Sequence, residues 1–167
     1  MASPRRKTRP SRATPARPLE ILLIEDTAAE ARRTKRALRQ GHIRSRITVA
    51  EDGEQALALL RSQPEFRPDV ILLDWYLPRK KGREVLDDLK SDPAFRHVPI
   101  VVLSISDRQE DVAAAYDGHA NSFVTKPANL EQLARALKLV EIFWKRRLPD
   151  HSEASPRVSP KGEAKPK

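Results

Sequence analysis

Three carboxylates, a hydroxyl and an ammonium stand where short apolar runs stop. Glu25-Asp26 follow Ile21-Leu-Leu-Ile24, Asp74 follows Val70-Ile-Leu-Leu73, Ser104 follows Ile100-Val-Val-Leu103, and Thr125-Lys126-Pro127 follow Ser122-Phe-Val124. If these ends converge, the ionised carboxylates repel one another and call for a counter-ion. A hard divalent cation suits them: Mg²⁺ prefers oxygen ligands and takes one or two carboxylates together with phosphate oxygens and water. Lys126 can then pair with Asp74 at rest and with a transferred phosphoryl group afterwards, and Ser104 can donate to a phosphoryl oxygen. An aspartate in that setting is a nucleophile for phosphorus. Each residue also has a plainer reading. Asp26 could cap the helix that Thr27-Ala28-Ala29 opens, Asp74 could precede a turn at Leu77-Pro78, Lys126 could be a solvated base, and Ser104 a turn residue.

The elements that must position these groups are legible as alternation. Five strands are predicted, at Glu20–Ile24, Arg46–Ala50, Val70–Leu73, Ile100–Leu103 and Ser122–Val124, mostly continuous apolar runs of the kind buried on both sheet faces. Between and after them, Ala28–Arg39, Gly53–Ser62, Arg83–Lys90, Asp107–Tyr116 and Asn129–Arg147 carry apolar residues at helical spacing. The order is (βα)₅, an α/β doubly wound five-stranded parallel sheet of flavodoxin-like type. In such a sheet the crevice lies beyond the carboxyl ends of the strands, which is where the polar residues above stand.

The chain of 167 residues suits one domain with a real core. It has no Cys, which excludes disulfides and thiolate metal sites and fits a cytoplasmic location. No apolar stretch approaches the roughly 20 residues that span a bilayer, so membrane insertion is not expected. The net charge of +9 would suggest a nucleic-acid binder if it were spread over the fold. Six of those charges belong to Arg5, Arg6, Lys7, Arg9, Arg12 and Arg17, and residues 149–167 add one more, leaving +2. That near balance predicts no nucleic-acid binding by the folded core. Residues 1–17 and 149–167 are rich in Pro, Ser, Ala and charge and read as disordered tails around a domain at 18–148. Arg5-Arg6 does not read as an export signal, because prolines and further arginines follow instead of an apolar segment.

Taken together, Glu25-Asp26, Asp74 with Leu77-Pro78 and Gly82, Ser104 and Lys126-Pro127 resemble a response-regulator receiver domain over about residues 19–148. The resemblance implies that Asp74 is the phosphoacceptor and that Asp26 and Asp74 ligate Mg²⁺ directly. It implies further that Glu25 acts through a metal-bound water, that the backbone carbonyl of Tyr76 completes the metal site, and that Ser104, the backbone of Ile105 and Lys126 hold the phosphoryl group. Phe123 takes the place of the aromatic switch residue, and Lys126-Pro127 is expected to be a cis peptide. The Asp-Trp-Tyr-Leu-Pro stretch, the segment from His119 to Pro127 and the long final helix are most similar to the small single-domain response regulators of bacterial phytochrome kinases. The implied function is a non-enzymatic phosphoacceptor of a two-component phosphorelay, phosphorylated by a sensor histidine kinase of that kind and capable at most of slow self-dephosphorylation.

The pattern departs from the usual one at several points. Glu25 replaces a common second Asp, lengthening the arm and keeping the charge. Tyr76 and Ile105 are bulkier than the residues often found there and are expected to hinder water's approach, giving a long-lived phosphoryl group. Phe123 lacks the hydroxyl of the usual Tyr. Three alternatives use the same residues: a receiver-like module that is not phosphorylated, an aspartyl-phosphate hydrolase, and a flavodoxin-like cofactor binder. The hydrolase would need a second Asp where Tyr76 stands, and the Glu25-Asp26-Thr27 loop would repel a cofactor phosphate. Gly41 and Gly82 read as a helix end and a loop turn, and the four His lack metal-ligand spacing. Trp75 reads equally as core packing and as a reporter of the acid pocket.

The final helix carries two apolar stripes. Leu130, Leu133, Leu137, Val140 and Trp144 seat it on the sheet, while Ala136, Leu139 and Phe143 form a second stripe without an obvious partner in a monomer. That stripe predicts a homodimer, or a docking face for kinase or target, on helix four, strand five and helix five.

Overall fold

The structure, a computed structural model, describes residues 17–145, with the side chains of the last three excepted. The tails expected at 1–17 and 149–167 lie outside the described residues, apart from Arg17. Ten elements alternate: β1 (Leu19–Ile24), α1 (Ala28–Gln40), β2 (Ser45–Ala50), α2 (Gly53–Ser62), β3 (Val70–Asp74), α3 (Gly82–Ser91), β4 (Ile100–Ser104), α4 (Gln109–Asp117), β5 (Ser122–Thr125) and α5 (Leu130–Lys145). All pairings are parallel, in the order β2-β1-β3-β4-β5. The (βα)₅ reading is therefore borne out, with small shifts at element ends. Asn129 starts α5 from outside, its side chain accepting from the N–H groups of Glu131 and Gln132. At α4 the Ser106 hydroxyl accepts the Arg108 N–H, so the helix opens two residues later than the spacing predicts.

Alternation along the buried strands divides the core into two layers. Leu22, Ile24, Ile71, Leu73, Ile100 and Val102 face α2, α3 and α4, whereas Ile21, Leu23, Val70, Leu72, Val101 and Leu103 face α1 and α5. Leu133 and Leu137 seat α5 as the first stripe predicts, with Leu130 and Val140 packed beside them. Of the second stripe, Ala136 is half-buried and Leu139 is 68% exposed; the side chain of Phe143 lies outside the described residues.

The opposite end of the sheet holds a contact that the composition hid. Arg17, read as part of a tail, forks onto the buried Asp69 just before β3 at 2.6 and 2.7 Å, and Asp69 also accepts the Glu20 N–H at 2.8 Å. The Lys126–Pro127 bond is a correction: it is trans, like every peptide among the described residues. Trans is the intrinsically favoured isomer of an X–Pro bond, and in this arrangement the Pro127 carbonyl accepts from Arg33 on α1. Among the described residues no helix is long and apolar enough to cross a membrane.

Candidate phosphoacceptor site

Register brings the acids together. Ile24 pairs with Leu73 across β1 and β3, so the next residues, Glu25 and Asp74, emerge side by side at the carboxyl edge. Oxygens of Glu25, Asp26 and Asp74 all lie within 4.8 Å of one another. Glu25 and Asp74 are buried and Asp26 is exposed, so the cluster has a buried wall and an open mouth. The capping alternative for Asp26 fails, because the N-cap of α1 is Thr27 and no side chain caps it.

Lys126 supplies the facing cation. The Lys126 N–H bonds to the Ser104 carbonyl at 2.6 Å, extending the β4–β5 pairing one residue past Thr125. From there its arm crosses β4 to put Nζ 2.7 Å from Glu25 Oε2, 3.4 Å from Asp74 Oδ2 and 3.7 Å from Glu30 Oε2. Burial works against its charge, but the hydrogen bond to Glu25 and the fields of Asp74, Glu25 and Glu30 outweigh it and raise its pKa. Glu25 is pushed up to about 7, first by burial and also by the charge of Asp74, against the pull of Lys126 and the Thr27 N–H. Three carboxylates around one ammonium leave the pocket short of positive charge. An all-oxygen donor set with one solvent-facing member fits Mg²⁺, which keeps several waters.

The backbone around Asp74 is tightly specified. Trp75 N–H donates to the Leu103 carbonyl at 2.9 Å, and Tyr76 N–H donates to Asp74 Oδ1 at 3.0 Å. Gly82 N–H returns to the Trp75 carbonyl at 3.2 Å, and a Cβ at 82 would stand 2.7 Å from the carbonyl oxygens of Asp74 and Trp75. Gly82 is therefore more than a turn residue: it allows the start of α3 to pack on the acceptor's own backbone. Ser104 is fully buried, and its hydroxyl accepts the Ser106 N–H at 3.0 Å, the turn role weighed for it; its own proton stays available to donate. Ile105, directly after Ser104, is 75% exposed. Phe123 is half-buried against the layer under α2, α3 and α4. Trp75 is buried in that layer, as the packing reading has it, and also bonds to Asp111 of α4 through Nε1.

Two participants escaped the sequence. Glu30 looks like an ordinary acid complementing the start of α1, and Asp111 like one of two acids in the first turn of α4. Asp111 accepts from Trp75 Nε1 and from the Tyr76 hydroxyl, and its pKa is lowered chiefly by the Tyr76 bond.

The family model for the response regulator receiver domain matches residues 21–138. The chain belongs to that family. As a receiver-domain protein it acts in two-component signalling, as the five-part constellation implied. It is similar to Response regulator Rcp1 of Synechocystis sp., with 40% identity over 131 residues that cover 76% of this chain and 89% of Rcp1. Among solved structures it resembles the phosphorylated cyanobacterial phytochrome response regulator RcpA, at 40% identity and TM-score 0.71, covering 79% of this receiver chain and 97% of RcpA. It likewise resembles the Mn²⁺-bound form of Rcp1, at 38% identity and TM-score 0.68, covering 79% and 98% of the two chains.

Proposed function

We propose that Asp74 takes a phosphoryl group from the phosphohistidine of a phytochrome-type sensor kinase in the cytoplasm. The observation that carries this reading is the joint placement of Asp74, Glu25, Asp26 and the Lys126 ammonium at one strand edge. A carboxylate oxygen of Asp74 attacks phosphorus, the N–P bond breaks, an acyl phosphate forms, and the departing imidazole keeps the electron pair of the broken bond. Lys126 pairs with the incoming phosphoryl oxygens, while the Ser104 hydroxyl and the Ile105 backbone hydrogen-bond to them. Glu25, Asp26, Asp74 and the Tyr76 carbonyl would hold Mg²⁺, which when bound would supply further positive charge against the phosphoryl oxygens. Phe123 and the exposed Leu139 and Ile142 of α5 support output through protein contacts on α4, β5 and α5, with self-association as the reading tested below. The protein signals by this modification and turns over nothing beyond slow loss of its own phosphoryl group.

Incubation with phosphorylated kinase or a small phosphodonor and Mg²⁺, followed by intact-mass analysis, tests the reading. One phosphoryl adduct on the wild type and none on Asp74→Ala is expected. No adduct, or an equal adduct on both, sinks it in favour of a receiver-like module that is not phosphorylated.

A further inference from the structure

The two residues directly after the acceptor converge on one carboxylate. Trp75 Nε1 donates to Asp111 Oδ1 at 3.2 Å, and the Tyr76 hydroxyl donates to Asp111 Oδ2 at 2.5 Å. Tyr76 also holds Asp74 Oδ1 through its backbone N–H. The Tyr76 side chain thus runs from the acceptor loop to the first turn of α4, the helix that follows Ser104 and its loop. That helix is otherwise lightly held. Ala115 is its one buried residue, and Arg83 bonds to its Ala114 carbonyl from α3.

We infer that Asp111 is a positioning residue for the chemistry at Asp74: it joins the Trp75–Tyr76 segment to the start of α4 as one unit and fixes the Tyr76 ring as a wall of the phosphoryl site. The inference rests on Asp74 being the acceptor. Its chemistry suits a carboxylate, since each of its two oxygens serves one of the Trp75 and Tyr76 donors and the Ser106 side chain hydrogen-bonds to it as well. An asparagine would offer one acceptor and turn an NH₂ toward the other donor, leaving one bond unmade and two donors opposed. Tethering α4 through residues 75 and 76 also gives a change at Asp74 a direct mechanical route to that helix.

The test uses full-length protein in a Trp144→Phe background, so that Trp75 is the only tryptophan. In unphosphorylated protein, Asp111→Asn and Asp111→Ala should increase acrylamide quenching of Trp75, while Glu110→Ala, one residue away, should not. After phosphorylation, Asp111→Asn should speed loss of the phosphoryl group about fivefold, the scale on which one hydrogen bond moves a rate. Tyr76→Phe should do the same, and the double variant should fall well short of the two effects combined, because both changes act on the Tyr76–Asp111 contact. Lower melting temperatures with unchanged quenching and decay rates would reduce Asp111 to a structural residue and overturn the inference, as would fully additive effects on decay. If the wild type takes no phosphoryl group, the acceptor reading fails and the effect on lifetime falls with it; the quenching result then shows separately whether Asp111 positions the loop.

Discussion

Glu25→Gln should flatten the pH dependence of stability in the metal-free protein. Glu25 is 2% exposed, and its carboxyl is pushed up from 4.5 to about 7, by burial most of all. An acid whose folded pKa lies above its unfolded value is more protonated when folded. Its contribution is therefore complete below about pH 4.5, is lost as pH rises toward 7, and stays lost above that. Across that window, holding the carboxylate ionised costs about 3 kcal/mol. Glutamine removes the ionisation, while Lys126 keeps Asp74 at 3.4 Å and Glu30 at 3.7 Å. Urea unfolding with EDTA at about pH 5 and about pH 8 should then show the wild type losing about 2–3 kcal/mol more than the variant between the two conditions. Mg²⁺ at about a hundredfold excess over its dissociation constant should restore about 2.7 kcal/mol to the wild type near pH 8, and much less to Glu25→Gln. Equal losses in the two proteins would refute the strained buried charge, and equal rescue would remove Glu25 from the metal site.

Arg17→Ala should cost about 1 kcal/mol, because one arm of the Arg17–Asp69 fork is half exposed, whereas Asp69→Ala should cost about 2–3 kcal/mol by also stranding the Glu20 N–H. Deleting residues 1–16 should leave the melting temperature unchanged and deleting 1–17 should lower it; equal effects would show that Arg17 anchors nothing. Gly82→Ala should lose about 2–3 kcal/mol, since the new Cβ meets backbone atoms at 2.7–2.8 Å that cannot swing aside, and a neutral result in urea unfolding would show that the loop has room. Leu139→Glu with Ile142→Glu should abolish any dimer seen by sedimentation of the phosphorylated protein; a dimer that survives both charges is built on another face.

Much of the site was readable because a sheet covered on both faces writes its strands as apolar runs, and the point where polarity resumes marks the functional edge. Parallel register did the rest: once Ile24 stands beside Leu73, Glu25 must stand beside Asp74. Contacts made by side chains across elements left no such trace. Glu110 and Asp111 are interchangeable acids in sequence, yet Asp111 meets Trp75 and Tyr76 while Glu110 pairs with Arg108. Arg17 sits among arginines and prolines, and only the depth of Asp69 distinguishes it. The helix ends show a subtler failure of local rules. Glycines 41 and 118 end helices as glycines do, but the left-handed residue is the next one, His42 at φ 54° and His119 at φ 65°.

A charge total over the domain conceals its distribution. The +2 of residues 18–148 suggested an even surface, but residues 28–50 carry seven bases against Glu30 alone, a net +6, so the rest of the domain holds −4. The fold keeps that segment together, since α1 and β2 are consecutive and β2 is an edge strand. Arg32, Arg36 and Arg39 are exposed along α1, and Arg44 and Arg46 are exposed at the start of β2. The chain enters β1 beside them, with the Leu19 N–H bonded to the Arg44 carbonyl at 2.8 Å. Fields add by position and are screened over about 10 Å at ordinary salt, so acids elsewhere on the domain offset these bases only where they lie within that range. A balanced total therefore does not exclude polyanion binding by the folded part.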